Sequence, residues 1–255
     1  MKLYPLEMGT HRMDQSYYTP GRGIGTLAQV PVTAYVITHP KGNVVFDTGM
    51  DPGVITDLRG TWGALAGLLT VQMTEDQTIL ARLESLGLRP SDISHVVISH
   101  LHVDHAGGIQ FLPDAEFIVQ KAEIRVAYFP EPYEKMVYVR NDFDREVDYN
   151  DIEGDYDIFG DGRLVVRSTP GHSRGHQSLE VNLDSGAKFI LCADACYEAA
   201  NIDLLIPPGM GWNPEESIRS LKKLRSFRDK DGGFLAFGHD AKQWATMKRA
   251  PEYYD

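Results

Sequence analysis

Cysteine is nearly absent: the 255 residues hold only Cys192 and Cys196. A disulfide framework is therefore excluded. A chain of this length can bury roughly 70–75% of its unfolded surface without one. The pair reads as two small buried thiols in a reducing compartment, with a disulfide between them as the alternative. Long apolar runs are missing as well. No stretch approaches the roughly 20 apolar residues of a membrane span. The opening "MKLYPLEMGTHRMDQ" lacks an apolar run of signal-peptide length. The expected setting is cytoplasmic, with no membrane partner. Basic residues are scarce, 25 Lys and Arg against 36 Asp and Glu, for a net charge of −11. Polyanion binders present a basic face. Here the most basic run, "RSLKKLRSFRDK" (219–230), reads as the solvated side of a helix. Nucleic acid is not an expected partner, and no repeat of fixed period is visible.

What the chain does have is a series of apolar, β-branched runs between turn signals. They are "VTAYVIT" (32–38), "NVVFDTG" (43–49), "HVVIS" (95–99), "EFIVQ" (116–120), "LVVRS" (164–168), "SLEVNL" (178–183), "KFILCA" (188–193) and "GFLAFG" (233–238). Several are near-continuous, as expected of strands covered on both faces. Two helices are expected among them. "TEDQTILARLESLG" (74–87) opens with a capping-box spacing and places Ile79, Leu80, Leu83 and Leu86 on one face. "NPEESIRSLKKLRSF" (213–227) has Asn213 at the N-cap and Pro214 in the first turn, with Ile218, Leu221 and Leu224 inward. The class is α/β, with sheets sandwiched by helices. Residues 129–162 are acidic, aromatic and weakly periodic, and are expected to join two halves while packing over something. Residues 6–25 read as a loop. Long loops in a compact domain are often functional.

The chemistry is concentrated in "SHLHVDHAGG" (99–108), which puts His100, His102, Asp104 and His105 directly after a strand. So short a loop cannot wrap all four side chains around one tetrahedral ion. They can serve two adjacent ions, His100 and His102 on one, Asp104 and His105 on the other, roughly 3.5–4 Å apart. Further donors follow other strands: His172 in "STPGHSRGHQS", Asp194 in "LCADACY" and His239 in "FLAFGHD". Each sits where open α/β sheets place their sites. A carboxylate such as Asp194 can bridge two cations. A nitrogen and oxygen donor set suits zinc and also tolerates cobalt, manganese or iron. His11, His39 and His95 read as ordinary hydrogen-bonded polar residues, and His176 as a supporting group rather than a ligand.

The pattern His-x-His-x-Asp-His, followed by the later His, Asp and His, resembles the metallo-β-lactamase superfamily over essentially the whole chain. The resemblance implies an αβ/βα four-layer sandwich, a single domain over residues 1–255 made of two packed halves, with two metals at one edge. It also makes Asp47 of "FDTG" an anchor that orients ligands, beside its reading as a turn former. Within the superfamily, di-iron oxygen reducers carry Glu where this chain has His102. The zinc-cysteine β-lactamases use a Cys ligand where Asp194 stands here. Only sixteen residues follow His239, too few for the helical glutathione-binding domain of thioester hydrolases.

"SHLHVDHAGG", "TPGHSRGHQSLEV", the spacing from Asp194 to Tyr197, "FGHD" and "PEYYD" resemble the N-acyl homoserine lactonases. That resemblance implies two Zn²⁺ per chain and a small-molecule lactone as partner. It gives Tyr197 contact with the substrate carbonyl and Asp104 a proton-shuttle role, with a homodimer left open. The alternative is a related metallohydrolase acting on another lactone, ester or thioester. Where several relatives have an aromatic, this chain has Val103. Candidate pocket walls are residues 62–69, Tyr17, Tyr18, Met8 and residues 202–209.

Overall fold

The β-branched runs pair as strands in two sheets, described over residues 1–255 by a computed structural model. The first sheet takes β1 (Lys2–Asp14), β2 (Leu27–Thr38), β3 (Asn43–Phe46), β4 (Thr70–Gln72), β5 (Ile93–Val97), β6 (Glu116–Gln120) and β7 (Asp148–Ile152), in the order β4-β1-β2-β3-β5-β6-β7. β3, β5, β6 and β7 run parallel, and the β1, β2 and β4 pairings are antiparallel. The second sheet takes β8 (Tyr156–Asp157), β9 (Leu164–Ser168), β10 (Gln177–Asn182), β11 (Lys188–Leu191) and β12 (Phe234–Ala236), in the order β12-β11-β10-β9-β8. The helices are α1 (Leu58–Trp62), α2 (Ile79–Ser85), α3 (Lys121–Tyr128), α4 (Arg140–Phe143), α5 (Ala199–Leu204), α6 (Pro214–Asp231) and α7 (Ala241–Trp244).

Three apolar clusters define the layers. Between the sheets lie Leu3, Ile37, Phe46, Val97 and Ile118 against Val166, Leu179, Val181 and Leu191. The outer face of the first sheet packs Val32, Val96 and Phe117 with Ile79 and Leu83 of α2 and Val126 of α3. The outer face of the second packs Ile190 and Leu235 with Ile202 of α5 and Leu221 and Leu224 of α6. This is the expected αβ/βα sandwich, and no helix is long and apolar enough to cross a membrane.

α6 follows its sequence signals. Asn213 accepts from Glu215 N and Glu216 N, and Gly232 closes the helix in the left-handed region at φ +67°. The expected helix over 74–87 instead breaks in two. Thr74 caps a short 3-10 turn, and Thr78 stays extended to accept from Ala81 N and start α2. Leu80 then turns outward, 39% exposed, while Ile79 and Leu83 are buried.

The stretch 6–25, expected as a loop, is a strand as far as Asp14. A β-bulge hides its alternation: Glu7 pairs with Thr33 and Thr10 with Pro31, so Met8 and Gly9 together oppose Val32. Gly9 makes this turn at φ +103°, where a Cβ would lie 2.7 Å from Met50 Cε. The bulge changes which face later residues present. Leu6 and Met8 join the first sheet's outer core before it, Met13 after it, so even positions hand over to odd.

A candidate dinuclear metal centre

β5, β9, β11 and β12 all end at one edge of the sandwich, and each delivers donors there. Gln177 ties the two sheets together at this edge. Its backbone N–H donates to Ser99 O at 2.9 Å and its amide to the carbonyls of Ile98 and Ile118. Gly107 lets the loop after β5 fold back, since a Cβ there would lie 1.9 Å from Asp51 N.

Hydrogen bonds set the imidazole tautomers. Asp47, at φ +58°, accepts from Ser99 N at 2.7 Å and from Ser99 Oγ at 2.8 Å. With that hydroxyl proton engaged, His100 Nδ1–H donates to Ser99 Oγ at 3.0 Å. His105 Nδ1–H donates to Asp47 Oδ2 at 2.8 Å, and His239 Nδ1–H donates to Pro31 O at 2.8 Å. In all three rings the Nε2 side is turned inward. Asp47 is thus both a left-handed turn former and an anchor.

The inward atoms form two groups with Asp194 between them. His172 Nε2 lies 3.1 Å from His100 Nε2, 3.0 Å from His102 Nδ1 and 3.3 Å from Asp194 Oδ2. On the other side, Asp194 Oδ1 lies 3.2 Å from both His105 Nε2 and His239 Nε2. Asp104 Oδ2 lies 3.6 Å and 3.7 Å from those same two nitrogens. Donors at about 2.0–2.1 Å around one tetrahedral zinc are roughly 3.3 Å from each other. The spacing therefore fits a cation in each group. Two further observations agree. His105 Nε2 and Asp194 Oδ1 are buried without a hydrogen-bond partner. Burial lowers the imidazole pKa of His105 and His239, yet Asp104 and Asp194 outweigh it and raise both above the usual range. The carboxylates attract positive charge to the place where a metal ion would supply it. His100 and His102 are held neutral by burial and by neighbouring imidazoles.

All seven residues expected as ligands therefore meet: His100, His102, Asp104, His105, His172, Asp194 and His239. His176 is a support, as expected. Its Nε2 accepts from Asp194 N at 3.1 Å, leaving Nδ1–H to donate to Thr169 Oγ1 at 3.0 Å. His39 and His95 lie away from the site, around the Phe159 ring.

Two residues of the site were not legible as such. Glu123, fully buried in the first turn of α3, accepts from Leu101 N, Ser173 Oγ, Gly175 N and Tyr138 Oη. It thereby joins the loop carrying His100 and His102 to the loop carrying His172. Gly175 permits this approach, since its Cβ would lie 2.2 Å from Glu123 N. In sequence Glu123 looks like an ordinary acidic residue favoured by the helix dipole. The second is His11, whose Nε2 lies 3.2 Å from Asp104 Oδ2.

Tyr197, 2% exposed, places its hydroxyl 3.2 Å from His172 Nδ1. Asn201 Oδ1 accepts from the backbone N–H groups of Tyr197 and Glu198, fixing the turn. The cavity over the donors is walled by Met13, Tyr18, Trp62, Leu65, Leu69, Val103, Val137 and Met210. A second cleft of about 280 Å³ adjoins it, sharing His102, Val137, His172 and Met210 and lined also by Tyr133, Met136 and Trp212. The expected walls Trp62, Leu65, Leu69 and Tyr18 are in place. Met8 is instead buried in the core, in phase with Leu6, and Tyr17 faces outward, 45% exposed. Of residues 202–209, only Gly209 reaches either cavity wall, since α5 turns Ile202 into the second sheet's outer core.

A family model described as the metallo-beta-lactamase superfamily matches residues 27–239. The chain is 36% identical to the N-acyl homoserine lactonase AttM of Azorhizobium caulinodans, covering 100% of this chain and 99% of that one. It is 32% identical to an N-acyl homoserine lactonase of Bacillus thuringiensis, covering 99% and 98%. Among solved structures, it is similar to an N-acyl homoserine lactone hydrolase with the product N-hexanoyl-L-homoserine bound at its catalytic metal centre. That likeness has a TM-score of 0.90 and 31% identity over 99% of this chain and 98% of that one. With a family model over most of the chain, a matching fold and relatives alike from end to end, the chain belongs to the metallo-beta-lactamase superfamily and, within it, to the N-acyl homoserine lactonases.

Proposed function

We propose that this chain is a dinuclear-metal hydrolase that opens the lactone ring of N-acyl homoserine lactones, a quorum-quenching activity. One observation carries the reading: seven inward-facing donors and the Tyr197 hydroxyl meet at the floor of an apolar-walled cavity. His100, His102 and His172 would hold one zinc ion, Asp104, His105 and His239 the other, with one oxygen of Asp194 toward each. Such ions, when bound, supply Lewis acidity and bring the pKa of water down to around 7.

The chain's own groups do the rest. Tyr197 keeps its proton, because burial and the charges of Asp194 and Asp104 push its pKa up. It can therefore donate a hydrogen bond to the lactone carbonyl oxygen as negative charge develops there. As water adds to the carbonyl carbon, the ring C–O bond breaks. Asp104 passes the released proton to the leaving ring oxygen, giving an acid and an alcohol. Trp62, Leu65, Leu69 and Val103 exclude water and offer apolar contact to the acyl chain. A neutral amphiphile also suits an acidic protein, because its binding rests on apolar contact rather than on charge.

The test is hydrolysis of a homoserine lactone series of rising acyl length, followed by proton release. Each added methylene should contribute up to about 0.8 kcal/mol until the cavity is full. kcat/KM should therefore rise from short to medium chains and then level, with Val103 allowing broad tolerance. No turnover on any member, beside brisk cleavage of a thioester or β-lactam, would refute the lactonase reading.

A further inference from the structure

We propose that His11 is a positioning residue of the Asp104–His105–His239 group, holding the Asp104 carboxylate through a hydrogen bond from Nε2–H and held in turn by the Tyr18 hydroxyl. The inference rests on Asp104 being a metal ligand, as proposed above. His11 is 4% exposed, with Nδ1 2.9 Å from Tyr18 Oη and Nε2 3.2 Å from Asp104 Oδ2. Its ring meets His239 edge-on, centroids 4.8 Å apart, and stacks on Tyr18 at 5.9 Å. The Asp104 carboxylate only accepts, so Nε2 carries the ring proton, and Nδ1 of the neutral imidazole accepts from the Tyr18 phenol.

Asp104 needs such a partner more than its neighbours do. His105 is tied to Asp47 and His239 to Pro31, whereas His11 makes the one hydrogen bond that Asp104 receives. The Asp104 side chain is also the more exposed, 14% against 3% for His105 and 2% for His239. Its Oδ2, the atom nearest both rings, is the atom His11 contacts. Without a donor, the carboxylate is free to turn toward the cavity. The bulge at Gly9 makes the contact, since uninterrupted alternation from Leu6 and Met8 would turn His11 to the other face of β1.

The test is titration of the metal-stripped full chain with Co²⁺, followed by the visible d–d absorption. The wild-type chain should take two equivalents. His11→Phe, which keeps a ring but no donor, should bind the first equivalent normally and the second about 10–100-fold more weakly. His11→Gln, whose amide can still donate, should recover most of that loss. Tyr18→Phe, which leaves His11 in place, should give a smaller loss of the same kind. Wild-type binding of the second equivalent by His11→Phe would overturn the proposal. So would His11→Gln as weak as His11→Phe, since the imidazole would then act as a direct ligand. A wild-type chain taking fewer than two equivalents would overturn the dinuclear reading and this one together.

Discussion

The two donor groups of the candidate centre are built from similar residues but held differently. His100, His102 and His172 hang from two loops that meet on one buried carboxylate, Glu123, which accepts from both loops and from the Tyr138 hydroxyl packed under the His102 ring. Asp104, His105 and His239 have separate anchors on separate strands or strand ends: His11 on β1, Asp47 after β3 and Pro31 on β2. Both loops of the first group thus rest on Glu123, with Asp47 reaching His100 through Ser99, whereas each ligand of the second group has its own anchor. The difference teaches where each can fail. Loss of a shared support disturbs a whole group, whereas loss of one separate anchor frees one ligand.

The largest expected effect removes the distinction between the groups. Asp194→Ala takes an oxygen from each side, so elemental analysis should find both metals lost together, with no lactone turnover. Retention of one equivalent would show that Asp194 serves one group only. Next, Glu123→Gln should weaken one of the two metal equivalents about 10–100-fold while sparing the other. Equal loss from both would show that the division of supports does not hold. Tyr197→Phe should be milder, with full metal content and a kcat about 10-fold lower. Loss of one oxyanion donor costs about 10²–10³ in strong cases, and here a cation shares the task. If the Phe variant loses metal, Tyr197 is structural and its proposed role fails.

The smallest effect concerns a buried carboxylate that Glu123 throws into relief. Asp142, on α4, is 2% exposed and neither oxygen has a partner. Burial, helped by Asp51, pushes its pKa up to about 8 from 3.8. The folded pKa is raised, so the contribution of Asp142 to stability is fully present below about pH 4 and is lost as pH rises toward 8. Asp142→Asn should therefore stabilise the chain by about 1–3 kcal/mol at pH 8. Near pH 4 it should give no gain, and lactone turnover should be unchanged. Thermal melts at both pH values decide it.

Much of this was legible in the residues. Runs such as "EFIVQ" and "LVVRS" became strands with the expected ends, because continuous β-branched sequence has few stable fates other than a covered strand. The cluster of donors was legible for a chemical reason. Three imidazoles and a carboxylate in six positions would repel or stay unpaired without a cation. β1 was less legible, since Pro5, Glu7 and the bulge at Gly9 break its alternation. The helix over 74–87 was overextended because two successive threonine caps compete for its start.

By itself, then, the sequence determined the α/β class, the donors and their order along the chain, because these depend on residue type and local spacing. Tertiary structure alone decided which ring nitrogen faces inward, that Glu123 joins two ligand loops, and that His11 stands beside Asp104. Apart from His100, whose ring rests on the adjacent Ser99, those outcomes depend on partners 22 to 208 residues away along the chain. They also depend on one extra residue in β1, which reverses the side every later residue presents. No local pattern encodes such distances; packing of the two sheets does.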